Sequence, residues 1–107
     1  MQGEKLRGHL EAIVLSALSS GPAHGYLVIT RIAQRSEGAF DLAEGTVYPV
    51  LHRLERAGRI ASTTSEVDGR RRRVYALTEE GRRVLAHERE QWRRFSSLVT
   101  HMIGAPA

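Results

Sequence analysis

A chain of 107 residues with 16 Lys and Arg against 12 Asp and Glu, net charge +4, is sized for one domain and carries surplus positive charge. It has no cysteine, which excludes disulfides, thiolate zinc sites and cysteine nucleophiles. No apolar run approaches the length of a membrane span, and the opening MQGEKLRGHLEAIVLSALSSG lacks a signal-peptide cleavage pattern, so a cytoplasmic protein is expected.

Leu6 to Ser20 reads as the first helix, with Leu6, Leu10, Ile13, Val14, Ala17 and Leu18 as its apolar stripe. Gly21-Pro22 stops it, since glycine suits a helix end and proline cannot continue the ladder. His24 to Ser36 reads as the second helix, with Tyr26, Ile29, Ile32 and Ala33 inward and Arg31 and Arg35 outward. His24, following a proline at a helix start, is expected to cap or pack rather than titrate. Glu37-Gly38 ends this helix, and the alternation in Phe40-Asp41-Leu42 predicts a short strand.

Glu44 to Ala57 is the third helix. Val47, Val50, Leu51, Leu54 and Ala57 follow the spacing of one helix face, and Gly58 closes it. The opposite face carries Thr46, Pro49, His52, Arg53 and Arg56, with Glu55 as the nearest carboxylate at its flank. Pro49 removes a backbone donor and crowds Gly45, so a loosened or tightened first turn is expected, not a broken helix. Arg59 to Ser65 is extended, Asp68-Gly69 is a strong two-residue hairpin signal, and Arg72 to Leu77 returns. Thr78 caps a last helix from about Glu79 to about Ile103, with Glu79 and Glu80 at its positive end. Leu85, Trp92 and Val99 recur every seven residues, and Phe95 and Met102 do so with an offset of three. That is an a/d seam interrupted at Glu88, too long for so small a domain to cover, so a second subunit is expected to cover part of it.

The charge is localised. From Arg53 to Arg73 there are seven arginines (53, 56, 59, 70, 71, 72 and 73) against three acids (Glu55, Glu66 and Asp68), a surplus equal to that of the whole chain. A helix-turn-helix whose second helix has a basic outer face, followed by an arginine-tipped hairpin, is the pattern of a reading helix for the major groove and a wing for the backbone or minor groove. The fold class expected is mainly α with a small β-hairpin wing. Residues 1–78 form the winged helix-turn-helix and 79–107 a dimerisation helix, in one compact unit.

Each assignment has a plainer counterpart. Tyr48 lies at the border of the apolar stripe, so groove contact and partial burial both stand. Arg53 and Arg56 could be merely solvated, but their coincidence with the wing favours phosphate or guanine contact. Thr46 can hold a phosphate through its hydroxyl and nearby amides. On a strand, Arg70 to Arg73 alternate sides, so about half of them can meet one DNA surface. The five histidines show no HxxxH or HExxH spacing, so no metal is expected. There is no G-x-S-x-G, P-loop or G-x-G-x-x-G, so no enzyme and no cofactor is expected. The competing class is a protein-binding winged-helix adaptor whose basic face meets an acidic partner.

Four groups of residues together resemble the PadR family of bacterial transcriptional regulators. They are Gly21-Pro22-Ala23-His24-Gly25-Tyr26; Glu44-Gly45-Thr46-Val47-Tyr48-Pro49 with Leu51, Arg53 and Leu54; Asp68-Gly69-Arg70-Arg71-Arg72 with Tyr75; and Leu77-Thr78-Glu79-Glu80-Gly81. The resemblance runs in order from Leu10 to Phe95, and the single terminal helix is similar to the short-form members. It implies that Thr46, Tyr48 and Pro49 begin the recognition helix and that Arg70, Arg71 and Arg72 form the wing; His52, Arg53 and Arg56, read from the outer face of the third helix, complete the DNA-binding set. It implies a homodimer built from the first and last helices, and commonly repression of a neighbouring operon; the seam of Leu85, Trp92, Phe95, Val99 and Met102, with Leu10, is the expected dimer contact, and a two-fold dimer calls for a palindromic operator. Some short-form relatives bind planar drugs between subunits, which makes Trp92 the candidate effector contact for a planar aromatic small molecule. The plainer reading of Trp92 is that it only fills the interface.

Overall fold

The computed structural model describes residues 8–104. Helix α1 (Leu10–Leu18) turns Val14, Leu15, Ala17 and Leu18 into the core. Leu6, the expected first residue of its stripe, lies outside the described residues. The helix ends at Leu18, short of the expected Ser20. The Ser19 hydroxyl donates to Ser16 O and the Ser20 hydroxyl to Ala17 O, competing with the helical ladder. Arg31 and Arg35 close the same end. Arg31 Nη1 donates to Ala17 O and Gly21 O at 3.0 and 2.6 Å, and Arg35 Nη1 to Ser16 O at 2.8 Å. Two guanidinium groups thus satisfy the carbonyls at the negative end of α1; Arg35 is exposed as expected, whereas Arg31 is half-buried.

A two-residue strand β1 (Ala23–His24) precedes α2 (Gly25–Arg35). The His24 side chain caps that helix, its Nδ1 accepting from Leu27 N at 3.2 Å. Gly25, Val28 and Ile32 are the buried residues of α2. Tyr26, expected inside, is 58% exposed. Val28 takes the inner place because the apolar residues of α2 run round much of the helix, and the periodicity alone fits two faces. Phe40 to Leu42 forms no strand. Phe40 and Leu42 pack on the core from an irregular segment.

Helix α3 (Glu44–Arg56) runs unbroken through Pro49, with Val47, Val50, Leu51 and Leu54 buried. Of the loosened or tightened first turn expected, the tightened one is found: both Thr46 N and Val47 N donate to Ala43 O. Strands β2 (Ile60–Val67) and β3 (Arg70–Leu77) are joined by Asp68-Gly69, both at positive φ, which gives the primed turn that matches strand twist. The sheet order is β1-β3-β2, all antiparallel, with Ala23 opposite Tyr75 and Ile60 opposite Leu77. The hairpin is therefore the larger part of a three-stranded sheet whose third strand is β1. Tyr75 and Ile60 carry its inner face into the core beside Leu51 and Leu54.

Helix α4 (Glu79–Ile103) begins at Thr78, whose hydroxyl accepts from Gly81 N at 3.0 Å and donates to Gly58 O at 2.7 Å. One side chain thus caps α4 and ties it to the turn after α3. Only Gly81 and Leu85 of α4 are buried. The helix has 25 residues, roughly 37 Å long, and stretches the molecule to 51 Å.

Candidate nucleic-acid interface

The inner side of α3 is wholly buried, so its register is fixed by the core and its outer side is presented rigidly. Thr46, Pro49, His52 and Arg56 are exposed on that outer side. Arg53 is exposed as well, but its Nε lies 3.4 Å from the Glu11 carboxylate on α1. Arg59 Nη1 reaches the other oxygen of Glu11 at 3.4 Å. Tyr48 is half-buried. A methyl group on Gly25 would stand 2.5 Å from the Tyr48 Cζ and Oη, so the absence of a side chain at Gly25 is what lets the phenol lie across the start of α2. Tyr48 is thus partly buried, and its remaining surface lies at the flank of α3.

In the wing, alternation splits the arginines. Arg71 and Arg73 share the face of Tyr75, and Arg70 and Arg72 share the face of Val74. Arg73 Nη1 donates to the Ser62 hydroxyl at 3.0 Å, and that hydroxyl donates to Glu55 at 2.6 Å. This chain of bonds fixes the root of the hairpin to α3 and takes up the carboxylate at the flank of α3. Arg72 is half-buried, and its Nε is buried without a partner among the described residues. Arg70 and Arg71 are exposed at the tip, so they are the wing cations free to meet a polyanion.

His24 joins the wing to α2. Burial, and then the nearby Arg72 charge, push its pKa below the ordinary 6.5. The neutral ring is the form whose Nδ1 can accept from Leu27 N. The unfolded chain therefore binds the proton more readily than the folded one, and stability falls as pH drops below 6.5. His24→Ala should cost about 1 kcal/mol at pH 8. That difference should shrink as pH falls through the lowered folded value. Denaturant midpoints of the two proteins from pH 8 to pH 5 check this; a gap that widens towards acid would contradict it.

The other exposed feature lies between α1 and α4. A groove of about 690 Å³ is lined by Ile13 and Ser16 of α1, by Phe40, and by Trp92 and Phe95 of α4. Trp92 meets His9 edge-on at 5.3 Å between ring centroids and Phe95 at 6.0 Å. Trp92 is 55% and Phe95 57% exposed, and Met102 is more exposed still. Val99 is intermediate, and Leu10 is half-buried against the core. Leu85, read as part of the seam, is buried in the core of its own chain. The open part of the seam therefore starts beyond it.

A tightly seated helix with a polar and cationic outer side, a hairpin tip bearing Arg70 and Arg71, and a long half-covered final helix are thus arranged on one small fold. The family model of the PadR-like transcriptional regulators matches residues 14–87. The chain belongs to the PadR-like family of transcriptional regulators. It is 33% identical over 91 residues to the transcriptional regulator Rv3488 of Mycobacterium tuberculosis, over 85% of this chain and 79% of that one. A PadR family transcription regulator from Clostridium difficile R20291 superposes with a TM-score of 0.80 at 30% identity, over 91% of this chain and all of that one. A PadR-like regulator from Bacillus cereus gives a TM-score of 0.84 at 25% identity, over 97% of this chain and all of that one.

In this PadR-like regulator three contributors were given no structural role in the sequence reading. Glu11 looked like one more polar residue of the first helix, and only the fold brings it to Arg53 and Arg59. Ser62 gave no signal for its link between Arg73 and Glu55. Gly25 could have been found, since a glycine in the first turn of a helix asks for a close neighbour. Among the described residues no helix is long and apolar enough to cross a membrane, and no cluster of His, Asp or Glu could hold a metal ion.

Proposed function

We propose that this chain is a cytoplasmic, sequence-specific DNA-binding repressor that engages a palindromic operator as a homodimer. The observation that carries the reading is α3: one side fully buried, the other presenting Thr46, Pro49, His52 and Arg56 to solvent. Buried registration of that kind holds a reading helix at a fixed depth and angle. The surplus of arginines in α3 and the wing supplies the sequence-independent attraction to phosphate. The dimer joins through α1 and α4, whose exposed aromatic groove awaits a symmetric copy, and sets two α3 helices about 34 Å apart, one turn of B-DNA.

The test is equilibrium binding to the duplex upstream of the gene itself and to a scrambled duplex. Arg56→Ala should lose preference for the upstream duplex by about 1–3 kcal/mol. Arg71→Ala should weaken both duplexes alike and flatten the dependence of log affinity on log salt by about one unit. Equal loss on both duplexes for Arg56→Ala would move that residue to a phosphate role. A wild-type chain that binds an acidic protein but neither duplex would favour the adaptor reading.

A planar aromatic small molecule seated against Trp92 between subunits is the effector this arrangement suits. It can act only by binding one spacing of the two reading heads better than the other. Trp92 is the single tryptophan, so its fluorescence reports the site. Planar aromatic cations should quench it saturably and lower operator affinity, and Trp92→Ala should abolish the response. Quenching with unchanged DNA binding would leave a pocket that is not a switch.

A further inference from the structure

Glu11 is one carboxylate shared by two guanidinium groups. Its oxygens lie 3.4 Å from Arg53 Nε on α3 and 3.4 Å from Arg59 Nη1 after α3. The three side chains stand around a polar cavity of about 220 Å³ between α1, α3 and α4, which Glu88 also lines. All three are between about a third and a half exposed. Such long, solvated ion pairs are weak, so they brace the fold little and open readily. What the geometry shows is the direction in which the Arg53 charge is turned: towards α1.

We propose that Glu11 is a positioning residue that holds Arg53 back from DNA, so that a duplex phosphate or base must compete with it for the guanidinium. The inference rests on the reading of α3 as the DNA-facing helix. Arg59 makes the exchange cheap. When Arg53 leaves for DNA, Glu11 keeps one cationic neighbour and is not stranded beside Glu88 without a counter-charge. The opposite face of α1 lines the aromatic groove through Ile13 and Ser16. One short helix therefore touches both the proposed dimer contact and a cation of the reading helix, and a shift of α1 at the groove alters how firmly Arg53 is held.

The test compares the wild type, Glu11→Gln, Arg53→Ala and the double variant on the upstream duplex from about 50 to 200 mM salt. Glu11→Gln should tighten binding about two- to five-fold, the worth of an exposed ion pair, and steepen the salt slope by about one unit. In the Arg53→Ala background the same change should have no effect. Arg59→Ala, which leaves Glu11 to Arg53 alone, should loosen binding. An equal gain in both backgrounds would overturn the proposal, because Glu11 would then act as a distant negative charge and not through Arg53. Unchanged affinity on Glu11→Gln, or weaker binding with a lower melting temperature, would also overturn it, the latter by making Glu11 a brace. Failure of the wild type to bind any duplex would instead bring down the DNA-facing reading itself.

Discussion

Trp92→Asp combined with Phe95→Asp is expected to give a folded monomer that binds its operator some hundred-fold or more weakly. The core of the protomer ends at Leu85, so neither ring supports it. Each ring leaves on the order of 100 Å² to be covered, worth about 2.5 kcal/mol. Four such rings in a two-fold interface supply roughly 10 kcal/mol before the cost of association is met. A carboxylate in that setting is desolvated without a partner and reverses the sign. In the proposed dimer the second reading head is then no longer held beside the first, and the gain from linked binding, about 10²- to 10⁴-fold, is lost. Sedimentation at micromolar concentration and operator titration measure the two effects. A persistent dimer would place the interface elsewhere. A monomer with full operator affinity would remove the need for two heads.

Gly81→Ala should lower the melting temperature by roughly 10 °C. Gly81 is buried, and a methyl group there would run into the backbone carbonyl of Arg59, with Leu77 also close. The carbonyl cannot swing aside, because it accepts from Thr78 N and so belongs to the joint between the α3–β2 turn and α4. Overpacking of this kind costs about 1–3 kcal/mol and more against backbone. Alanine's better helix propensity returns about 1 kcal/mol. A net loss near 2 kcal/mol corresponds to the stated shift for a domain of this size. Gly25→Ala is the control, since the neighbour there is the far end of the Tyr48 ring, which can rotate away. Its melting temperature should fall less, while the flank of α3 changes. Calorimetry at a fixed protein concentration compares the two, and a Gly25→Ala protein less stable than Gly81→Ala would contradict the argument.

Local signals carried most of the fold. The apolar spacing of Val47, Val50, Leu51 and Leu54, the Asp68-Gly69 pair and the Thr78 cap are properties of neighbouring residues, and the structure places them as read. Three features were not legible because distant residues decide them. Ala23–His24 is a strand only because β3 lies opposite. Arg31 and Arg35 turn to the end of α1, 10 to 19 positions away in sequence, where unsatisfied carbonyls meet them. Phe40-Asp41-Leu42 alternates like a strand yet finds no partner edge, and it is held instead by burial of Phe40 and Leu42 and by the bond from Phe40 N to the Ser36 hydroxyl at 2.9 Å. The outer side of α3 was legible as a set, but Glu11 divides it by holding Arg53 at its edge.

In the proposed assembly two copies of this chain read one operator through α3. The most direct measurement is the stoichiometry and salt dependence of binding to the duplex upstream of the gene, with a scrambled duplex in competition. The account predicts two chains per duplex, preference for the upstream sequence at every salt concentration, and log affinity falling steeply and linearly with log salt. One chain per duplex, or equal affinity for both sequences, would contradict it.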